Sequence, residues 1–432
     1  MEYKNIDSLI DFLKNSPSPF HVVDNTANIL KNNGFERLDI KENWMIESNK
    51  KYFITKNDSA LIAFKTGDKN KISDGFKIIG AHTDSPAIKI KPQPEFKGEE
   101  NYLKLNTEVY GGPILNTWFD RPLTIAGRVS ILEDETLKNV NINFEDPLMI
   151  IPNLAIHLNR KVNDGQKIDK QKDLIPIMKV LEENEDVENY LVDLISKKVN
   201  VKSSEIMDFD LYLRDTEDPI ILGSNKEFLN SGLIDDLGMA HAGLQALLNN
   251  KTAGFKLLVL FDNEEIGSNT GEGADSPLLS NLLERIVYGM NKNRADFLQM
   301  VENTFMVSAD MAHAVHPNHS KKHDPTNKPV INKGPVVKIS SNRRYTTDSY
   351  TGGYIKKLCK ENNIPFQNFV NNSNERGGST IGPINLRHLG VRSVDIGNPV
   401  LSMHSIRELY GLKDHELMIK LLTAFFNESQ ER

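Results

Sequence analysis

Residues 254–265 read GFKLLVLFDNEE, an apolar run from Phe255 to Phe261 that is interrupted only by Lys256 and stops at Asp262-Asn263-Glu264-Glu265. The run has no period-two alternation, so it is expected to be a strand buried on both faces of a mostly parallel sheet. Ligands in such sheets bind just beyond the carboxyl ends of the strands. Glu264 and Glu265 therefore stand where chemistry occurs, and adjacent residues leaving a strand point in different directions. One can hold a metal while its neighbour faces substrate. Taken alone, the stretch is equally well a solvated acidic turn.

Three further stretches repeat the design. Gly75–Gly80 (GFKIIG) runs into a turn carrying His82 and Asp84, Thr304–Ala309 (TFMVSA) runs into Asp310, and Val391–Ile396 (VRSVDI) is followed by Met403-His404-Ser405. Four such ends on one rim would gather His, Asp and Glu from distant positions, which is the composition of a zinc site. A site for two metals needs a bridging carboxylate, a carboxylate and a histidine for each ion, and a free carboxylate to handle the proton. In His82-x-Asp84 the histidine can ligate while the aspartate orients or tunes a neighbouring group, although the tripeptide alone is more often a surface turn. Asp235-Asp236 open a helical pattern at Leu237, Ala240, Leu244 and Leu247 and are equally well an N-cap. His404, read by itself, is equally a solvated histidine.

A chain of 432 residues is expected to form two or three domains. Its net charge of −7 argues against a nucleic-acid partner held on a basic surface. No stretch has the roughly 18 apolar residues a membrane span needs, and the amino terminus, MEYKNIDSLIDFLKNS, lacks a signal-peptide core. A lone cysteine, Cys359, excludes an internal disulfide framework. A cytoplasmic location is expected.

Helical spacing is read over Ile6–Leu13, Val22–Leu30, Leu174–Leu181, Tyr190–Ile195, Leu237–Leu248, Tyr350–Glu361 and Glu416–Phe426, and successive strands over Lys51–Thr66. From residue 87 the runs become short and β-rich. Residues 87–230 are expected to form an inserted β-rich domain, and 1–86 with 231–432 the catalytic one. Val336–Ser340 alternates, with Lys338 opposite Val337 and Ile339; such a lysine ordinarily faces solvent.

GAHTDSP (80–86), LIDDLGM (233–239), FDNEEIGS (261–268), SADMAHAVHPNH (308–319), KGPVVK (333–338), GSTIGP (378–383) and SMHSIRE (402–408) together resemble the motif set of the M18 metallo-aminopeptidases, the aspartyl aminopeptidase family. The resemblance implies an α/β fold, with a zinc-peptidase-type three-layer catalytic domain and an inserted β-rich dimerisation or assembly domain, in a dodecamer. It implies two Zn2+ per subunit, with Co2+ or Mn2+ as substitutes. By motif, His82 and Asp310 would hold one metal, Glu265 and His404 the other, Asp235 would bridge them, and Glu264 would be the general base. Asp236 is a departure, since some relatives carry Asn there.

The family places Lys338 and Tyr345 in a pocket for an acidic side chain, with Arg343 and Arg344 keeping the neighbourhood positive. His157 would reach a neighbouring subunit's site. His313, His316, His319 and His323 are read as loop residues. The implied activity is removal of an amino-terminal Asp or Glu from peptides with a free α-amine. Rivals are an aminopeptidase for neutral residues, a di-zinc carboxypeptidase or deacylase, and a catalytically silent assembly protein. Glu264 argues against the last, because a structural site has no use for an unligated carboxylate.

Overall fold

Phe255–Phe261 is a strand buried along its whole length, as its unbroken apolar run requires. It lies in a nine-stranded sheet of a computed structural model that describes residues 3–183, 185–375 and 377–428. In chain order the strands are β1 (Glu36–Arg37), β2 (Lys51–Lys56), β3 (Ala60–Lys65), β4 (Phe76–His82), β5 (Phe255–Phe261), β6 (Phe305–Ala309), β7 (Val336–Lys338), β8 (Gln367–Phe369) and β9 (Arg392–Gly397). Their spatial order is β1-β2-β3-β5-β4-β6-β9-β7-β8. Neighbours among β5, β4, β6 and β9 pair in parallel, so their carboxyl ends share one rim. Register sets Phe261 beside His82 and Ala309 beside Ile396.

Successive residues of these strands feed opposite cores. Ile79, Ala81, Leu258, Leu260 and Val307 join the helices Ile234–Asn249 and Leu412–Asn427 on one face. Ile78, Leu257, Val259 and Met306 join Leu278–Gly289 and Arg294–Glu302 on the other. Helices on both faces of a largely parallel sheet make a three-layer α/β arrangement. The helices Leu278–Gly289, Arg294–Glu302 and Ile381–Leu389 are additions to the sequence reading. So is a five-stranded sheet of Ile220–Leu222, Phe228–Ser231, Glu408–Gly411, Pro399–Leu401 and Ala312–His313.

The chain divides into two units. The first takes the chain up to Asp84, Pro219–Met403 and everything from Glu408, and the second takes Ser85–Asp218 with His404–Arg407. Against boundaries of 87 and 230 read from the sequence, the second crossover falls earlier because Phe228–Ser231 pairs with Glu408–Gly411. The second unit carries a six-stranded antiparallel sheet, including Ala87–Lys97, Tyr102–Tyr110, Leu123–Glu133 and Ile206–Asp215. The helix Tyr190–Val199 inserts Leu191 and Ile195 into its core.

Helical spacing at Leu174–Leu181 does not yield a helix. Pro176 has no N–H for one, and Ile177–Val180 instead pairs with the strand at Tyr102–Tyr110. Among the described residues no helix is long and apolar enough to cross a membrane.

Candidate metal centre

Four buried groups of the first unit, His82, Asp235, Asp236 and Asp310, each offer one ligand atom, all within 4.8 Å of one another. They come from the end of β4, the first turn of Ile234–Asn249 and the residue after β6. His82 Nε2 stands 3.7 Å from Asp235 Oδ1 and 3.9 Å from Asp236 Oδ2. The His82 N–H donates to Asp236 Oδ2 at 3.1 Å, and the peptide between the two aspartates is cis. His82, Glu264 and Glu265 form a second such group.

Asp84 organises this rim in a way the sequence did not suggest. Its Oδ1 accepts the Glu264 N–H at 3.0 Å and its Oδ2 the Glu265 N–H at 3.1 Å. His82 Nδ1 lies 3.0 Å from the Asp84 main-chain oxygen and 3.4 Å from Oδ1. The nearer partner of the imidazole is thus the carbonyl, and the carboxylate is aimed at the turn bearing both glutamates. An Nδ1–H given to a carbonyl leaves Nε2 with its lone pair, the arrangement a ligating histidine needs. Glu408, buried and outside the expected site, accepts the Asp235 N–H at 3.0 Å; its place at the end of the SMHSIRE block was the only signal.

Electrostatics bear out the strain of so many carboxylates. Burial pushes the Asp236 carboxyl well above the usual range, His82 opposing and Asp310 and Asp235 adding to the shift. Burial raises Glu264 likewise, with His82 opposing and the neighbouring carboxylates reinforcing it. For His82, burial alone would favour the neutral ring, but Asp236, Asp84 and Glu264 more than offset it and hold the imidazole well above its ordinary value. Burial also pushes Asp262 up to about 7, with Asp84 beside it. Three buried carboxylates facing one imidazole leave negative charge that is expensive without a counter-charge, and Asp236 Oδ1 has no hydrogen-bond partner among the described residues. One imidazole with several carboxylates is a donor set that suits zinc.

Lys338 is 3% exposed, against the solvent-facing position its alternation indicates. Its Nζ is 3.4 Å from Asp310 Oδ2 and 5.6 Å from the centre of the Tyr345 ring, which is also buried. Burial favours the neutral amine, but Asp310 and its neighbours outweigh this and raise the Lys338 pKa. His404 belongs to the second unit, where its Nδ1 lies 3.1 Å from the Gly112 oxygen. His157, in the same unit, is exposed between Ile156 and Leu158, both exposed as well. His313, His316, His319 and His323 follow β6; His313 is the second residue of a two-residue strand, and the others lie outside regular strands and α-helices.

The family model described as aminopeptidase I zinc metalloprotease (M18) matches residues 12–426. A probable M18 family aminopeptidase 2 of Clostridium novyi (strain NT) is 51% identical over 98% of this chain and 99% of its own. A protein of the same description from Clostridium acetobutylicum is 50% identical over 97% and 98%. Among solved structures, a chain in the cryo-EM structure of the Ape4 and Nbr1 complex superposes with a TM-score of 0.93 at 37% identity, covering 97% of this chain and 84% of that one. The S. cerevesiae mApe1 dodecamer gives a TM-score of 0.86 at 28% identity, covering 98% and 97%.

Proposed function

The chain belongs to the aminopeptidase I (M18) zinc metalloprotease family, and from that premise we propose that it is a di-zinc aminopeptidase that removes an amino-terminal Asp or Glu from peptides. The observation that carries the reading is the group of four buried donors, His82, Asp235, Asp236 and Asp310, beside the Glu264-Glu265 turn. His82 and Asp310 are assigned to one zinc, Glu265 and His404 to the other, and Asp235 to both.

When bound, the metal pair supplies Lewis-acid polarisation of the scissile carbonyl and acidifies the attacking water. Glu264 takes the proton from that water and returns it to the leaving amine, for which a carboxyl raised by burial is suited. Asp84 holds the main chain of Glu264 and Glu265, so the base and the adjacent ligand keep a fixed relation. Lys338, close to Tyr345, receives the carboxylate of the amino-terminal side chain.

The chain is further proposed to act as a homo-oligomer, in keeping with the mApe1 dodecamer it superposes on, with the β-rich unit serving assembly and His157 reaching a neighbouring subunit. A panel of amino-acid p-nitroanilides, assayed with and without chelator, tests the activity. Chelator-sensitive cleavage, fastest for Glu or Asp and abolished by N-acetylation, is expected. A peptide with a free amine is compared with its N-acetylated form, and cleavage of the acetylated peptide would make the protein a deacylase or carboxypeptidase instead.

A further inference from the structure

Asp395, within β9, is 1% exposed and belongs to none of the groups assigned above. Neutral donors from two separate loops hold its carboxylate. Thr346 gives Oδ2 its N–H at 2.6 Å and its hydroxyl at 2.7 Å, and the Thr380 hydroxyl reaches Oδ1 at 2.5 Å. The Asp395 N–H donates to Thr347 Oγ1 at 3.0 Å, so the same loop is also tied to the strand backbone. A side chain at Gly382 would meet this carboxylate, since a Cβ there would lie 2.7 Å from Oδ1. Thr346 adjoins Tyr345, whose ring stands 5.6 Å from Lys338 Nζ.

We infer that Asp395 is a positioning residue of the side-chain pocket: it pins the loop 343–347 so that Tyr345 keeps its place against Lys338, and through them it sets which amino-terminal side chain is accepted. The inference rests on the reading of Lys338 and Tyr345 as that pocket. Asp395 also adds to the field that keeps Lys338 charged.

The test compares wild type with Asp395→Ala, Asp395→Asn and Thr346→Val on the p-nitroanilide panel, with zinc content and melting temperature measured on each sample. Asp395→Ala removes the three hydrogen bonds to the carboxylate and is expected to raise KM for the preferred substrate about tenfold, the size of one charge-assisted hydrogen bond, while kcat and the poor substrates change little. Selectivity then flattens. Asp395→Asn, which still offers an oxygen to the Thr346 N–H and an N–H to the Thr380 hydroxyl, should recover most of it. An equal fall in kcat for every substrate, with the selectivity ratio unchanged, would overturn the inference. Thr346→Val decides the matter if the alanine variant does not fold, because it removes only the hydroxyl, whose partners are Asp395 and Ser393, and leaves the N–H bond to Asp395 in place. Should wild type prefer a neutral residue, the acidic-pocket reading falls, and the selectivity ratio for that residue still judges Asp395.

Discussion

Replacing Asp84 with Asn exchanges one carboxylate oxygen for an NH2 group at a site with no solvent exposure. Both oxygens receive main-chain N–H groups, from Glu264 at 3.0 Å and from Glu265 at 3.1 Å. An amide has a single acceptor oxygen, so one N–H would face another donor. A hydrogen bond to a charged group contributes roughly 1.5–3 kcal/mol, and about 1.4 kcal/mol is a factor of ten. Displacement of the Glu264-Glu265 turn is thus expected to lower kcat by roughly tenfold to 150-fold. The contact between His82 Nδ1 and the Asp84 carbonyl, 3.0 Å, involves the main chain and survives the substitution. Zinc content should therefore stay near that of wild type. Steady-state hydrolysis at saturating zinc, with metal quantified on the same sample, separates the two effects. Wild-type kcat in the fully loaded variant would refute the idea that Asp84 sets the turn. Loss of zinc in step with loss of rate would show instead that Asp84 acts through the ligands.

Glu264→Gln should retain fold and metal but lower turnover about 10²–10⁴-fold, the usual contribution of a general acid–base group; loss of metal would make Glu264 a ligand. Lys338→Met should lower kcat/KM for an amino-terminal Glu by about 10–100-fold relative to Leu and, by removing a cation 3.4 Å from Asp310, should leave zinc bound at least as tightly in a competition titration. Sedimentation at micromolar concentration should show a particle far larger than the 48.8 kDa chain, and a fully active monomer would remove the assembly role of the β-rich unit. Burial holds His241 down to about 3, with Nδ1 2.9 Å from His415 Nε2. The unfolded chain protonates it below its ordinary value while the folded one does not, so stability falls as pH drops from about 6.5 toward 3, by up to about 1.4 kcal/mol per pH unit. His241→Gln should flatten that slope in melting curves; an unchanged slope would exonerate His241.

What could be read in the sequence was what burial on both faces imposes. β4, β5, β6 and β9 are short apolar runs, and each carries polar chemistry just past its end because the rim is where water and ligand are met. The second sheet was illegible because its members are too short for a period: Ala312–His313 has two residues and Ile220–Leu222 three. The burial of Lys338 could not be read from its strand alone. Alternation within Val336–Ser340 says which face a side chain takes, but not that Asp310 waits on that face to compensate a buried cation. Asp395 is a charge inside the apolar run VRSVDI. That anomaly was visible, but its partners, Thr346 and Thr380, are 49 and 15 residues away.

The spacing His82-x-Asp84 then acquires a geometric reason. β4 and β5 run in parallel with Phe261 beside His82, and the next residue continues the ladder, the Thr83 N–H donating to the Phe261 oxygen at 2.8 Å. The strand ends at His82 and the chain bends at Thr83, which brings Asp84 Oδ1 to 3.4 Å from His82 Nδ1. His82 and Asp84 consequently face the same region, one aimed at Asp235 and the other at the backbone that follows β5. Thr83 gives its hydroxyl to the Ser59 oxygen at 2.8 Å. Two strand ends are in this way locked together by one tripeptide. Adding or removing a single residue between His82 and Asp84 would move the carboxylate off this turn and leave the Glu264 and Glu265 N–H groups without their acceptor, while every candidate metal ligand remained in the sequence.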